Sequence, residues 1–193
     1  MKDTDNVKNI MIVGVGGQGA LLASKTLGQV LLDAGFDVKV SEVHGMSQRG
    51  GSVVTYVRYG KKVCSPIVDK GEADFIVSFE LLEAARYTEY LKSGGKIVVN
   101  TQMIDPMPVI TGAAKYPENL VQKMCDAGFD VDALDCLSLA QEAGTPKAVN
   151  IVLMGRLSRY MDFPEDAWLK AIEKLVKPQF LDMNKKAFAL GRK

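Results

Sequence analysis

The chain has 193 residues, of which 47% are hydrophobic and 24% charged, with 24 Lys plus Arg against 23 Asp plus Glu for a net charge of +1. That length favours one domain, with a core large enough to stand without metal or disulfide staples. The near-neutral balance argues against a general nucleic-acid binder, which needs a basic face for phosphates.

Asn9-Ile10-Met11-Ile12-Val13-Gly14 is a short apolar run ending in glycine, which reads as a buried strand. Between Gly19 and Asp33, Leu21, Leu22, Leu27, Val30 and Leu31 have helical spacing, with Gly35 as the stop. Phe36 to Val43 reads as a second strand, so residues 9–43 are expected to form a β-loop-α-β unit. His44 to Ser52 is polar and glycine-rich, hence loop. Val53 to Tyr59 is β-branched and aromatic, hence strand, with a turn at Gly60-Lys61-Lys62. Phe75 to Phe79 is a further strand, Glu80 to Leu91 an amphipathic helix stopped by Gly94-Gly95, and Lys96 to Asn100 another buried strand. The Pro-containing stretch 105–108 reads as loop, Tyr116 to Ala127 as helix and Phe129 to Leu134 as strand. From Ala148 the pattern is α-rich, with helices over Ile151 to Tyr160, Pro164 to Val176 and Phe180 to Leu190. Strands alternating with helices predict an α/β fold with a largely parallel sheet, the helical tail covering one face. No repeat or long linker divides the chain. A single domain over 1–193 is expected, with residues 1–8 flexible.

Cys64, Cys125 and Cys136 stand far apart with no CxxC, and together with His44, the single histidine, they make no four-ligand zinc site of familiar spacing. A cubane cluster takes four thiolates, so no iron–sulfur centre is expected on this chain alone. Scattered thiols suit a reducing compartment. Met1 to Asn6 is polar, and no apolar run is long enough for a signal peptide or membrane span. These features predict a cytoplasmic protein with no metal, no membrane and no nucleic acid; any redox equipment must sit mostly on another chain.

Gly14-Val15-Gly16-Gly17-Gln18-Gly19 satisfies G-x-G-x-x-G, follows a strand and opens a helix. Glycines allow a tight turn and close approach to the backbone, and the helix start offers unpaired N–H groups to an anion. The competing explanation is that the glycines only let helix and strand pack closely. A nicotinamide unit wants an acid about 20 residues on; Glu42 lies 23 residues after Gly19 (42 − 19), but a loop and a strand follow it where a helix should. Gly19 to Thr26 has Ser24 in place of the second P-loop glycine, and no G-x-S-x-G elbow is present.

The second constellation is Glu42-Val43-His44-Gly45-Met46-Ser47-Gln48-Arg49-Gly50-Gly51-Ser52, which packs the histidine, a guanidinium, an amide, a hydroxyl and three glycines between two strands. In an open parallel sheet, ligand loops follow the carboxyl ends of strands; if these two strands are neighbours, the two loops share one rim. Arg49 suits an anionic group held by two parallel hydrogen bonds, against the ordinary fate of a solvated charge. His44 has a side chain able to titrate near neutrality, but spacing assigns no catalytic triad. Binding or interface is therefore favoured over catalysis. Asn150 reads as a cap or buried hydrogen-bonder, and Trp168, with Leu169, Ile172 and Leu175, as core or subunit contact.

The pairing of Gly14–Gly19 with the Glu42–Val53 stretch resembles the gamma-type subunits of 2-oxoacid:ferredoxin oxidoreductases, over nearly the whole chain and including Asn150 to Gly155. The histidine-containing loop favours the arylpyruvate (indolepyruvate) branch over the pyruvate type. The resemblance implies a Rossmann-like domain and a reaction in which an arylpyruvate, coenzyme A and oxidised ferredoxin give an aryl-acetyl-coenzyme A, carbon dioxide and reduced ferredoxin. It places thiamine diphosphate and [4Fe–4S] clusters on a large catalytic partner subunit. It gives the glycine-rich rim a part in closing the active site or holding coenzyme A, through Gly14, Gly16, Gly17, Gln18 and Gly19, and through the loop residues Glu42, His44, Ser47, Gln48, Arg49, Gly50 and Gly51. No catalytic residue and little activity are expected of the chain alone. The alternatives are a free-standing NAD(P)- or flavin-binding oxidoreductase, the gamma subunit of a pyruvate or other 2-oxoacid enzyme, and a scaffold whose glycines are purely structural.

Overall fold

A computed structural model describes residues 7–45 and 50–193. Its strands are β1 (Lys8–Val15), β2 (Asp37–His44), β3 (Ser52–Gly60), β4 (Ala73–Ser78), β5 (Leu91–Asn100) and β6 (Asp130–Leu134). They form one sheet in the order β2-β3-β1-β4-β5-β6. The β1–β4, β4–β5 and β5–β6 pairs are parallel; β3 runs antiparallel to both β1 and β2. The sheet is thus mostly parallel, as the alternation of elements implied.

The helices are α1 (Ala20–Asp33), α2 (Leu81–Arg86), α3 (Met107–Ile110), α4 (Leu120–Asp126), α5 (Cys136–Ala143), α6 (Val149–Ser158), α7 (Glu165–Leu175) and α8 (Leu181–Arg192). Alternation along β1 divides the core. Ile10 and Ile12 face one layer, where α1 and α5 to α8 bury Leu27, Leu31, Ile151, Leu153, Trp168 and Phe188. Met11 and Val13 face the other, with Ile76, Ile97, Leu120 and Met124 under α2 and α4. A chain burying this much apolar surface on both sheet faces holds its strand ends in fixed places, and those ends carry the motifs.

Six expectations change. The unit over residues 9–43 does not place its strands side by side, because β3 lies between β1 and β2. The helix expected to Leu91 ends at Arg86; a 3-10 turn follows, and β5 begins at Leu91, which is buried and pairs with Ala73. Gly94-Gly95, read as a helix stop, lies inside β5, where Gly95 passes so close to the Ala73 carbonyl that a Cβ would stand 2.9 Å from its oxygen. The helix expected from Tyr116 begins only after Asn119, whose left-handed backbone (φ 55°) sets the start. Finally, α5 forms where the sequence pattern predicts no helix, and the loop at 105–108 contains the start of the one-turn α3.

Candidate functional site

The strand registers put both singled-out loops on one rim. Val15 pairs with Ser52, His44 with Val53, Val13 with Ser78, and Ser78 with Val99. The carboxyl ends of β1, β2, β4 and β5 therefore meet the start of β3. The loops are joined directly: the Gly16 N–H donates to the Gly51 carbonyl (2.9 Å), and the Gly50 N–H to the Gly16 carbonyl (3.4 Å). Shared rims do not require neighbouring strands here, because β3 bridges the gap.

Gln18 organises the glycine turn. Its Oε1 accepts from the Val15 N–H at 2.7 Å, and its Nε2 donates to the Phe79 carbonyl and to Gln102 Oε1, both at 3.1 Å. Asn100 Nδ2 donates to the same Phe79 carbonyl at 3.0 Å, and Asn100 Oδ1 accepts from the Cys136 N–H at 3.1 Å. These amides tie the ends of β1, β4 and β5 without adding charge. Two glycines are demanded by this packing. A Cβ on Gly14 would lie 2.9 Å from Gln18 Oε1 and 2.9 Å from Phe79 Cβ. Gly19, with φ +91°, caps α1, and a Cβ there would meet Asn150 Nδ2 at 2.8 Å. Asn150 is buried and spans the rim, reaching towards the Gly19 carbonyl at 3.4 Å and accepting from the Ile151 N–H at 2.9 Å.

Glu42 and His44 are exposed at the end of β2. Glu42 Oε2 lies 3.4 Å from the Thr55 hydroxyl, and His44 Nδ1 lies 2.9 Å from the Gly45 carbonyl oxygen. The intervening β3 sets Glu42 two strand spacings, about 10 Å, from the glycine-bearing strand, where a dinucleotide site has its ribose acid on the adjacent strand. Ser47, Gln48 and Arg49 lie outside the described residues.

The rim also holds two buried carboxylates, Glu80 and Glu83, that no sequence motif singles out. Glu80 takes the Glu83 N–H at 2.8 Å, the Ile104 N–H at 3.0 Å and the Tyr116 hydroxyl at 2.5 Å. Burial first, and then the Glu80 carboxylate, hold the Tyr116 phenol protonated well above its ordinary range. Glu83 accepts from Ser52 Oγ at 2.5 Å and Arg86 Nη1 at 3.0 Å, and Tyr87 OH lies 3.2 Å from the same serine. Glu83 thereby anchors Ser52 at the start of β3. The available signal was position: Ser78-Phe79-Glu80 and Asn100-Thr101-Gln102 each follow an apolar strand run, where an open sheet presents its ligand rim.

The thiols stand apart. Cys64 and Cys125 are exposed, whereas Cys136 is buried, and burial pushes its thiol up to about 12. Among the described residues no three His, Cys, Asp or Glu side chains converge as a metal site, and no helix is long and apolar enough to cross a membrane. The rim offers backbone shape, amides and hydroxyls, which suits binding and contact.

The pyruvate ferredoxin/flavodoxin oxidoreductase family profile matches residues 9–193. The chain is 46% identical over 192 residues to indolepyruvate oxidoreductase subunit IorB of Thermococcus kodakarensis, covering 96% of this chain and 94% of that one. It is 30% identical over 147 residues to ketoisovalerate oxidoreductase subunit VorA of Methanothermobacter marburgensis, where the match spans 76% of this chain but 27% of VorA. Among solved structures, pyruvate oxidoreductase subunit PORC from Thermotoga maritima superposes with a TM-score of 0.75 at 25% identity, covering 97% and 96% of the two chains.

Proposed function

The chain belongs to the pyruvate ferredoxin/flavodoxin oxidoreductase family, and from that premise we propose that it is the small, non-catalytic subunit of an indolepyruvate (arylpyruvate):ferredoxin oxidoreductase. The complex oxidatively decarboxylates an arylpyruvate to an aryl-acetyl-coenzyme A and passes two electrons to ferredoxin in the cytoplasm. The observation that carries this reading is the 46% identity to an indolepyruvate oxidoreductase subunit over nearly the full length of both chains.

The resemblance to the family assigns the [4Fe–4S] clusters and thiamine diphosphate to the large subunit, and three separated thiols, too few for a four-thiolate cluster, accord with that for the clusters. Thiamine diphosphate supplies the carbanion stabilisation that decarboxylation needs. This chain's part is shape and polarity at the rim. In the turn Gly14, Gly16, Gly17, Gln18 and Gly19, the open space beside Gly17 leaves the backbone free for close approach, while Gly14 and Gly19 let Gln18, Phe79 and Asn150 pack against the turn and set its shape. Glu42, His44, Ser47, Gln48, Arg49, Gly50 and Gly51 are assigned to contact with coenzyme A or the large subunit, Arg49 as the cation for an anionic group.

Anaerobic co-purification with the large subunit is the test. The complex is expected to reduce ferredoxin only when both an arylpyruvate and coenzyme A are present, and the isolated chain is expected to be inactive. Failure to bind a thiamine- and cluster-containing partner, or tight one-to-one binding of NAD(H) by the isolated chain, overturns the reading.

A further inference from the structure

Gln102 stands half-buried on the rim, just beyond the end of β5. Backbone N–H groups can only donate, and two of them fix which way its amide points. The Val15 N–H donates to Gln18 Oε1 at 2.7 Å, so Gln18 Nε2 is the donor towards the Phe79 carbonyl and Gln102, both at 3.1 Å. The Cys136 N–H donates to Asn100 Oδ1 at 3.1 Å, so Asn100 Nδ2 is likewise a donor, to the Phe79 carbonyl at 3.0 Å and towards Gln102 at 3.4 Å. Both donors converge on the same atom of Gln102, and that atom must be the amide oxygen. The reversed amide would set N–H against N–H. Gln102 Nε2 is therefore turned away from the lattice, and it makes no hydrogen bond among the described residues.

A donor held in this way is already ordered. The Gln102 carbonyl accepts from the Leu81 N–H at 3.0 Å, so backbone and side chain are both fixed before an acceptor arrives, and little entropy is lost when one does. Gln18 sets the amide beside the glycine turn, where the space next to Gly17 is open. The carboxyl ends of the parallel strands β4 and β5 lie at the same place, where an open α/β sheet takes its ligands. Local charge selects the acceptor. Glu83 has Arg86 at 3.0 Å, whereas the partners of buried Glu80 are two backbone N–H groups and the Tyr116 hydroxyl. An anion brought to Gln102 would meet that carboxylate across a short distance of protein, and an uncharged oxygen would not.

We propose that Gln102 is a ligand-contacting residue of this rim, donating through Nε2 to an uncharged carbonyl oxygen of the group that closes on the glycine turn. The amide carbonyls in the pantetheine arm of coenzyme A and the backbone carbonyls of the large subunit share that chemistry. Gln18 and Asn100 are positioning residues, acting through Gln102 Oε1. The inference rests on the small-subunit reading above.

Gln102→Glu is the discriminating change, because a carboxylate oxygen still accepts from Gln18 and Asn100 while the outward donor is lost. The experiment measures KM and kcat of the anaerobically assembled complex for coenzyme A and for an arylpyruvate. Beside these it measures the affinity of the chain for its large subunit and the thermal midpoint of the chain alone. Gln102→Glu should raise the KM for coenzyme A about 10-fold or more, or weaken the affinity for the large subunit as much, since a desolvated acceptor then meets no donor. The KM for the arylpyruvate should stay within about twofold. A changed coenzyme A constant identifies the pantetheine arm as the acceptor, and a changed affinity identifies the large-subunit backbone. Gln102→Met, which removes the inner acceptor as well, should lower the thermal midpoint further than Gln102→Glu does. Wild-type constants and affinity in Gln102→Glu, with the wild-type complex intact, overturn the proposal alone. An equal fall of the midpoint in both variants overturns the amide orientation and the proposal with it. Absence of any wild-type complex overturns the small-subunit reading and this inference together.

Discussion

At the amino end of the sheet, Lys8 and Lys92 share the Asp74 carboxylate and Lys96 pairs with Asp130, and in the middle of β6 Arg156 grips Asp132 through Nε at 2.6 Å and Nη2 at 2.8 Å. At the carboxyl end, Gln18, Gln102 and Asn100 do the tying, and Glu80 and Glu83 spend much of their hydrogen-bonding on backbone N–H and hydroxyl groups. The amino end also carries an open groove of about 1490 Å³ lined by Phe36, Tyr59 and Phe163, whose rings pack edge to face or tilted at 5.2–6.3 Å. Yet many of the charges around it are matched within the chain, and burial pushes the Tyr59 phenol up to about 12. Just beyond the carboxyl end of β5 lie the most exposed large apolar side chains of the described residues, Met103, Met107 and Ile110, while Phe79 is buried beneath the rim.

The most severe test of that contrast is Gly19→Val. A β-branched residue at φ +91° against Asn150 is expected to cost about 3 kcal/mol or more, from backbone strain and overpacking together. Chemical denaturation reads this directly. Wild-type stability would mean that the motif's last glycine does not serve the chain's own packing.

Gln18→Ala should cost less, about 1–3 kcal/mol, by leaving the Val15 N–H without its acceptor. Faster hydrogen exchange at Val15, with little change in β6, would locate the effect at the rim. A uniform change across the sheet would remove the distinction between the two ends.

The smallest effect concerns acid. Burial works to raise the Asp132 carboxyl, but hydrogen bonds from Arg156 and Tyr160 outweigh it and hold the group below its usual range. A carboxyl lowered in the folded state stabilises the protein above its unfolded value near 4 and loses that contribution as pH falls through the folded value. Unfolding measured from pH 6 downward should show a component below about pH 4 that Asp132→Asn lacks. The Gln18 network, being neutral, should add no such component.

Much of the architecture is legible along the chain because short apolar runs and glycine stops are local signals. The β1 run, the α1 spacing and the C-terminal helices all stand within a few residues of their expected bounds. Gly94-Gly95 misled because glycine marks a bend in a strand as readily as a helix end, and only the pairing of Leu91 with Ala73 decides between them. Gln18 and His44 drew notice through their glycine neighbours. Glu80, Glu83, Asn100 and Tyr116 did not, since their partners lie up to 36 residues away.

The sequence by itself determined the α/β class, the placement of a glycine turn at a strand-to-helix junction, and the lack of thiols for a cluster, because each depends on residues close together or on composition. Tertiary structure alone decided that β3 separates β1 from β2, that Glu42 stands apart from the turn, and that Met103, Met107 and Ile110 remain uncovered beside it. Strand order and exposure are set by which surfaces pack together across the whole chain, and no local pattern carries that information.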